Sequence, residues 1–130
     1  MAIKTGHALL LLGLVVSLIS VASAVSGTAT FYTVYTPSAC YGNQDQGVMI
    51  AAANNALYNN GAACGKMYRV TCKGPTNQGV PRPCRGSVTV KIVDRCPGCA
   101  ANQLDLSQEA FNTIADPAAG KIIIDYVQLV

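Results

Sequence analysis

The stretch SVTVKIVDRCPGCAANQLDLSQEAF, Ser87 to Phe111, decides the fold. Its first part alternates, so Val88, Val90 and Ile92 share one face of a strand, with Asp94 at the end of that same face, aimed inward or into a rim. Cys96-Pro97-Gly98-Cys99 is too short for anything but a turn, and Leu104-Asp105-Leu106-Ser107 follows. Ser107 is placed as an N-cap, with Glu109 in the first turn and Ala110, Phe111, Ile114 and Ala115 as an apolar stripe. One helix is therefore predicted over Gln108 to Ala115, ended by Asp116-Pro117.

Outward from this stretch the chain reads as short strands. On the C-terminal side, Lys121 to Val130 (KIIIDYVQLV) is a final strand. On the N-terminal side, Lys73 to Gly86 holds three prolines and three glycines and is expected to be a loop, preceded by the alternating strand Met67 to Cys72. The apolar run Val48 to Ala53 reads as a buried strand, leading into a short helical turn between Asn54 and Gly61. Gly27 to Tyr35 is β-branched and aromatic, with Ala29, Phe31 and Thr33 on one side and Thr28, Thr30 and Tyr32 on the other. Six or so short strands, one real helix and no βαβ rhythm point to an all-β single domain, a small closed barrel without repeats or linkers.

The chain has 130 residues, 51% apolar and 12% charged, which argues against disorder and against a multidomain enzyme. Part of the apolar excess is the run Ala8 to Ala24, which follows Lys4 and ends in Ala22-Ser23-Ala24. It reads as a secretory signal peptide over residues 1–24, with residues 25–130 as the mature domain. Broken by Gly13, Ser17 and Ser20, it falls short of the ~20 apolar residues of a membrane span, so no stable membrane insertion is expected. The formal net charge of +3 is too mild to argue for nucleic acid, and Arg69, Lys73, Arg82 and Arg85 are spread around a loop without interleaved aromatics. The one histidine, His7, lies in the leader, so the mature domain is expected to lack histidine-based triads and histidine-bearing zinc sites. No metal or organic cofactor is expected.

Six cysteines, Cys40, Cys64, Cys72, Cys84, Cys96 and Cys99, in a small secreted domain read as three disulfides, with about fifteen pairings open to sequence reasoning. No βαβ pattern surrounds the Cys-x-x-Cys at Cys96 and Cys99, so a structural clip is favoured over a redox role.

Several motifs in order carry a resemblance: Gly27-Thr28-Ala29-Thr30-Phe31-Tyr32, Ser38-Ala39-Cys40-Tyr41-Gly42, Asn59 to Gly65 (NNGAACG), Val88 to Cys99 (VTVKIVDRCPGC) and Leu104 to Phe111 (LDLSQEAF). The mature chain resembles the expansin-like, family-45-endoglucanase-like domain family and, more narrowly, its plant natriuretic peptide and citrus blight-associated group. The resemblance implies a six-stranded double-psi β barrel, disulfide-stapled, secretion to the apoplast, and the pairing Cys40 with Cys64, Cys72 with Cys84 and Cys96 with Cys99. It also implies a systemic role in water and solute homeostasis and in stress or pathogen response, without expansin activity. A cell-surface receptor is the implied partner, with recognition in the segment from Tyr35 to Cys72.

Glycoside cleavage normally needs two carboxyl groups across the scissile bond. Leu104-Asp105-Leu106 matches the Asp-Leu core of the endoglucanase acid motif, but Thr33 to Ala39 (TVYTPSA) holds no partner carboxylate. Asp94 is the substitute, since related lytic transglycosylases carry an acidic residue in a comparable segment. Against these roles, Asp94 could tie down the following turn or pair with Arg95 or Arg69, and Asp105 could cap backbone near Ser107. Tyr32, Tyr35, Tyr41, Tyr58 and Tyr68 are candidate groove aromatics, whereas Phe31, Phe111 and Tyr126 have core parity; the absence of tryptophan argues against a strong sugar platform. The reading is a secreted, monomeric, non-enzymatic protein with Tyr32, Tyr41, Asp94 and Asp105 as candidate ligand-binding residues. The alternatives are a wall-polysaccharide-binding module and a residual glycan-cleaving enzyme using Asp105 and Asp94.

Overall fold

A computed structural model describes residues 23–130. The leader reading falls mostly on residues 1–22, outside the described residues. Six strands, β1 (Val25–Tyr32), β2 (Ile50–Ala53), β3 (Met67–Pro75), β4 (Ser87–Arg95), β5 (Gln103–Ser107) and β6 (Ile122–Gln128), close into one barrel in the order β1-β5-β2-β4-β3-β6. The β1/β5 and β2/β4 pairs are parallel and the other four antiparallel. Closure leaves no unpaired strand edge.

Alternation decides which side chains fill the barrel. Ala29, Ala51, Ala53, Val70, Val90, Ile92, Leu104, Leu106, Ile122 and Ile124 are all fully buried in a single core, the alanines giving room to the branched residues opposite. Helix α1 (Asn55–Tyr58) is one turn, capped by the Asn54 side chain, which accepts from the Leu57 amide. Helix α2 (Gln108–Ile114) starts at the expected N-cap, Ser107, whose hydroxyl accepts from the Ala110 amide at 3.0 Å. It buries Ala110, Phe111 and Ile114 over one barrel end, with the Phe31 and Phe111 ring centroids 5.0 Å apart.

Three disulfides join Cys40 to Cys64, Cys72 to Cys84 and Cys96 to Cys99. The loop expected from Lys73 begins later, because β3 runs on to Pro75 past an irregularity between Cys72 and Gly74. The remainder is tied to the α2 end, where Arg85 donates its amide to the Ile114 carbonyl and Asp116 donates to the Pro83 carbonyl.

Candidate functional site

The two candidate carboxylates lie on one outer strip of the barrel. Asp105 stands between Leu104 and Leu106, both fully buried, so strand parity turns it outward. By the same alternation Asp94 would follow Val90 and Ile92 inward. It does not, because the register of β2 on β4 shifts: Ala51 pairs with Ile92 but Ala52 pairs with Asp94, leaving Val93 as an extra residue. This bulge reverses parity, and the inward or rim placement expected for Asp94 is corrected to the outer face. The Val93 carbonyl, released from the ladder, accepts the Cys40 amide at 3.0 Å.

Ala52 is paired with Asp94 on one side and Asp105 on the other. The strip therefore reads Asp94, Ala52, Asp105, Thr30 across β4, β2, β5 and β1, and the two aspartate backbones stand two strand spacings, about 10 Å, apart. Thr30 donates its hydroxyl to Asp105 Oδ1 at 2.8 Å and accepts from Gln103 Nε2 at 3.0 Å. Asp105 thus leans on the neighbouring strand rather than on backbone near Ser107. Burial raises its carboxyl above the ordinary aspartate range, with the Thr30 hydrogen bond opposing the shift. Asp94 Oδ1 instead accepts two backbone amides, Ala39 and Arg95, each at 2.9 Å. The second of these is the turn-tying role expected for Asp94, and the first pins the loop between β1 and β2 to the groove.

Tyr32 completes the cluster. Its hydroxyl is buried without a hydrogen-bond partner, and burial, with Asp94, Asp105 and Tyr35 acting in the same direction, holds the phenol far above its usual range. It is a neutral donor beside two acceptors. Tyr35 packs edge-on to Tyr32, with centroids 5.3 Å apart, and is itself clamped, donating to Glu109 and accepting from the Gln108 amide at 3.1 Å.

The other aromatics go elsewhere. Tyr41 lies beneath the Lys91 ammonium, 5.5 Å from ring centroid to Nζ, with its hydroxyl against Gly65, so it belongs to the flank of the groove and not to the aspartate strip. Tyr58 sits by the Cys64 sulfur. Tyr68 is buried inside the barrel, in T-shaped contact with Tyr126, which corrects its groove placement. Thr30, Gln103 and Ala52 were not singled out from the sequence. Thr30 shares the outer face with Tyr32, but pairing it with Asp105 requires the β1/β5 register. Among the described residues, no three His, Cys, Asp or Glu side chains gather as a metal site.

Chemically, the strip offers one carboxyl with raised proton affinity, one whose Oδ1 is held by two amides, and a phenol donor, over a floor of one methyl group. Such an arrangement can hydrogen-bond the hydroxyls of a sugar chain laid across the strands.

Comparison with known proteins places this geometry. Residues 50–126 match the double-psi β-barrel family model described as lytic transglycolase. The chain is 63% identical over 112 residues to an EG45-like domain containing protein of Citrus jambhiri, covering 84% of this chain and 85% of that protein. It is 38% identical over 90 residues to Expansin-B4 of Arabidopsis thaliana, 60% of this chain but 32% of that protein. Among solved structures it resembles an Asp-to-Asn variant of Clavibacter michiganensis expansin in complex with cellohexaose, with a TM-score of 0.65 at 32% identity over 83% of this chain. The match spans about half of that expansin, 51%. Barrel, disulfides and sequence together make the chain a member of the double-psi β-barrel family, in its expansin-like, EG45-like group.

Proposed function

We propose that this protein is secreted and acts in the cell wall space as a non-enzymatic barrel that binds a polysaccharide chain across the Tyr32, Asp94 and Asp105 strip. The observation that carries this reading is the buried, unpartnered Tyr32 hydroxyl beside two outward carboxylates, a donor and acceptors in need of polyhydroxylated company. The cellohexaose held by the bacterial expansin supports a β-glucan as the class. Catalysis is disfavoured because Asp94, the one carboxylate across from Asp105 on the strip, already has its Oδ1 engaged by two backbone amides.

The test is isothermal titration of the secreted protein with cellohexaose, with reducing ends followed in parallel. Saturable binding, weakened at least tenfold in Tyr32→Ala and unaccompanied by new reducing ends, is the expected outcome. Reducing ends that disappear in Asp105→Asn would overturn the non-enzymatic reading; no binding to cellohexaose or to insoluble cellulose would overturn the groove.

A second reading, signalling in water and solute homeostasis through a cell-surface receptor, is favoured by the loop between β1 and β2. Asn43, Gln44, Asp45, Gly47, Val48 and Met49 are all exposed, while Cys40–Cys64 and the Ala39 amide on Asp94 fix the loop's root. If it holds, Gln44→Ala with Asp45→Ala abolishes protoplast swelling and leaves cellohexaose binding unchanged; equal swelling by wild type and variant counts against it.

A further inference from the structure

A cavity of the barrel lies away from the aspartate strip. At the end opposite α2, a cleft of about 430 Å³ is lined by Val25, Asn54, Leu57, Tyr68, Asn102 and Tyr126, with Ser23, Ala56 and Gln128 at its borders. This is within the size range of small-molecule sites, roughly 300–1,000 Å³. Its walls are set by the fold. Tyr68 and Tyr126 are 6% and 3% exposed and lock each other edge-to-face at 5.9 Å. Asn54, 4% exposed, is fixed at both ends of its amide, accepting from the Leu57 amide and donating to the Gln103 carbonyl, each at 3.0 Å.

The polar groups around this cleft are all uncharged. Asn102 and Gln128 bring side-chain amides, each with two N–H donors and an acceptor oxygen, while the Asn54 amide is already shared among Gln103, Leu57 and Tyr126. Burial raises both tyrosine phenols, which therefore stay protonated donors. No Asp or Glu lines the cleft. Asp125, the partner of Ser26 in register, lies on the outer face, 4.0 Å from the Lys73 ammonium. On the reading that the leader is removed after Ala24, Ser23 leaves the border and the α-ammonium of Val25 arises there, adding a positive charge. The site then combines two aromatic rings, an aliphatic wall at Leu57, neutral amides and a cation, with no Asp or Glu side chain in its lining.

We propose that this cleft is a second binding site, separate from the polysaccharide strip, and that it takes a small aromatic carboxylate. The ring lies against Tyr68, Tyr126 and Leu57, and the carboxylate is held by the Val25 α-ammonium and the amide donors. Asp94 and Asp105 take no part.

All six strands lie within residues 25–128, so the chain beginning at Val25 carries the whole barrel. The experiment secretes the full-length chain from a eukaryotic host, determines its N-terminus by mass spectrometry, and follows its amide resonances during titration with phenylacetate, phenylacetamide and phenethylamine. Phenylacetate is expected to saturate with a Kd of about 1 mM, in line with a ligand of its size. It should shift the amides of Leu57, Tyr68 and Tyr126, at least fivefold more tightly than phenylacetamide, with phenethylamine weaker still. Ala56→Trp, at an exposed border position, removes binding while leaving cellohexaose binding intact. Nα-acetylation of Val25 brings the acid and the amide to within twofold of each other. An N-terminus other than Val25 overturns the leader reading and the ammonium with it. With Val25 confirmed as the first residue, no shifts up to 20 mM phenylacetate, shifts confined to Asp94 and Asp105, or equal binding of the amine would each overturn the site.

Discussion

The two ends of the barrel are closed by different means. At one, α2 buries Ala110, Phe111 and Ile114 completely, and the Cys72–Cys84 loop is hydrogen-bonded onto its last turn. At the other, α1 is one turn long and buries no residue fully, so Leu57 and Tyr58 only lean on the core and a cleft stays open. The same six strands feed both ends, so the contrast comes from what covers them. A packed end carries stability, and an end covered by a single turn keeps space and unspent polar groups for a ligand.

That contrast can be broken most forcefully at the closed end. Phe111→Ala removes a fully buried ring in contact with Phe31 and is expected to lower stability by about 3–5 kcal/mol in urea unfolding. A loss below 1 kcal/mol would mean that α2 is no more than a cover. Replacing Cys72 and Cys84 together with alanine opens a loop of 12-residue separation and should cost about 2–4 kcal/mol, with the Ile114 amide losing hydrogen-exchange protection before Leu57 does. The reverse order would undo the assignment of this loop to the α2 end.

The open end is sharpened by a smaller change. A methyl group at Gly27 would collide with the Asn102 carbonyl oxygen, so β1 and the turn before β5 cannot keep their approach. Gly27→Ala should lower stability by about 1–3 kcal/mol and shift the amides lining the cleft, while resonances of α2 stay in place. Movement in α2 would show that the ends are coupled.

Between the ends, Asp105 gives the smallest effect, with a sign that can be worked out. Its carboxyl is raised in the folded state, chiefly by burial, so the fold favours the protonated form. That contribution is complete below the unfolded value near 3.8 and is lost as pH rises through the folded value. Asparagine keeps a neutral amide and an acceptor for Thr30. Asp105→Asn is therefore expected to melt slightly above wild type at pH 7 and level with it near pH 3; a variant that melts lower at pH 7 would overturn the argument.

Much of this architecture is readable in the residues. The strands at Met67, Ser87 and Gly27 and the Ser107 cap follow from alternation and capping, and they lie within a few residues of their expected bounds. Tyr68 was legible too, since it alternates with Val70 and Cys72, both interior. Asp94 was not, because a bulge is a property of the pair β2 and β4, invisible in either strand alone. The same holds for Thr30 beside Asp105: each shows its parity locally, but their meeting depends on a parallel register set by the crossovers. The Asp105 environment, the feature closest to chemistry, is likewise a sum over three strands.

The extra residue at Val93 makes the polarity of the groove a matter of counting. Were Val93 taken into the ladder opposite Ala52, alternation would run unbroken, Asp94 would turn toward the hydrocarbon interior and Asp105 would be left alone on the strip. Deleting Val93 has the opposite result: Asp94 then follows Ile92 directly and stays opposite Ala52, and what is lost is the carbonyl that holds the Cys40 amide. The same residues slipped by one position would therefore make a different groove, a change that point-mutation scans of the carboxylates would never sample.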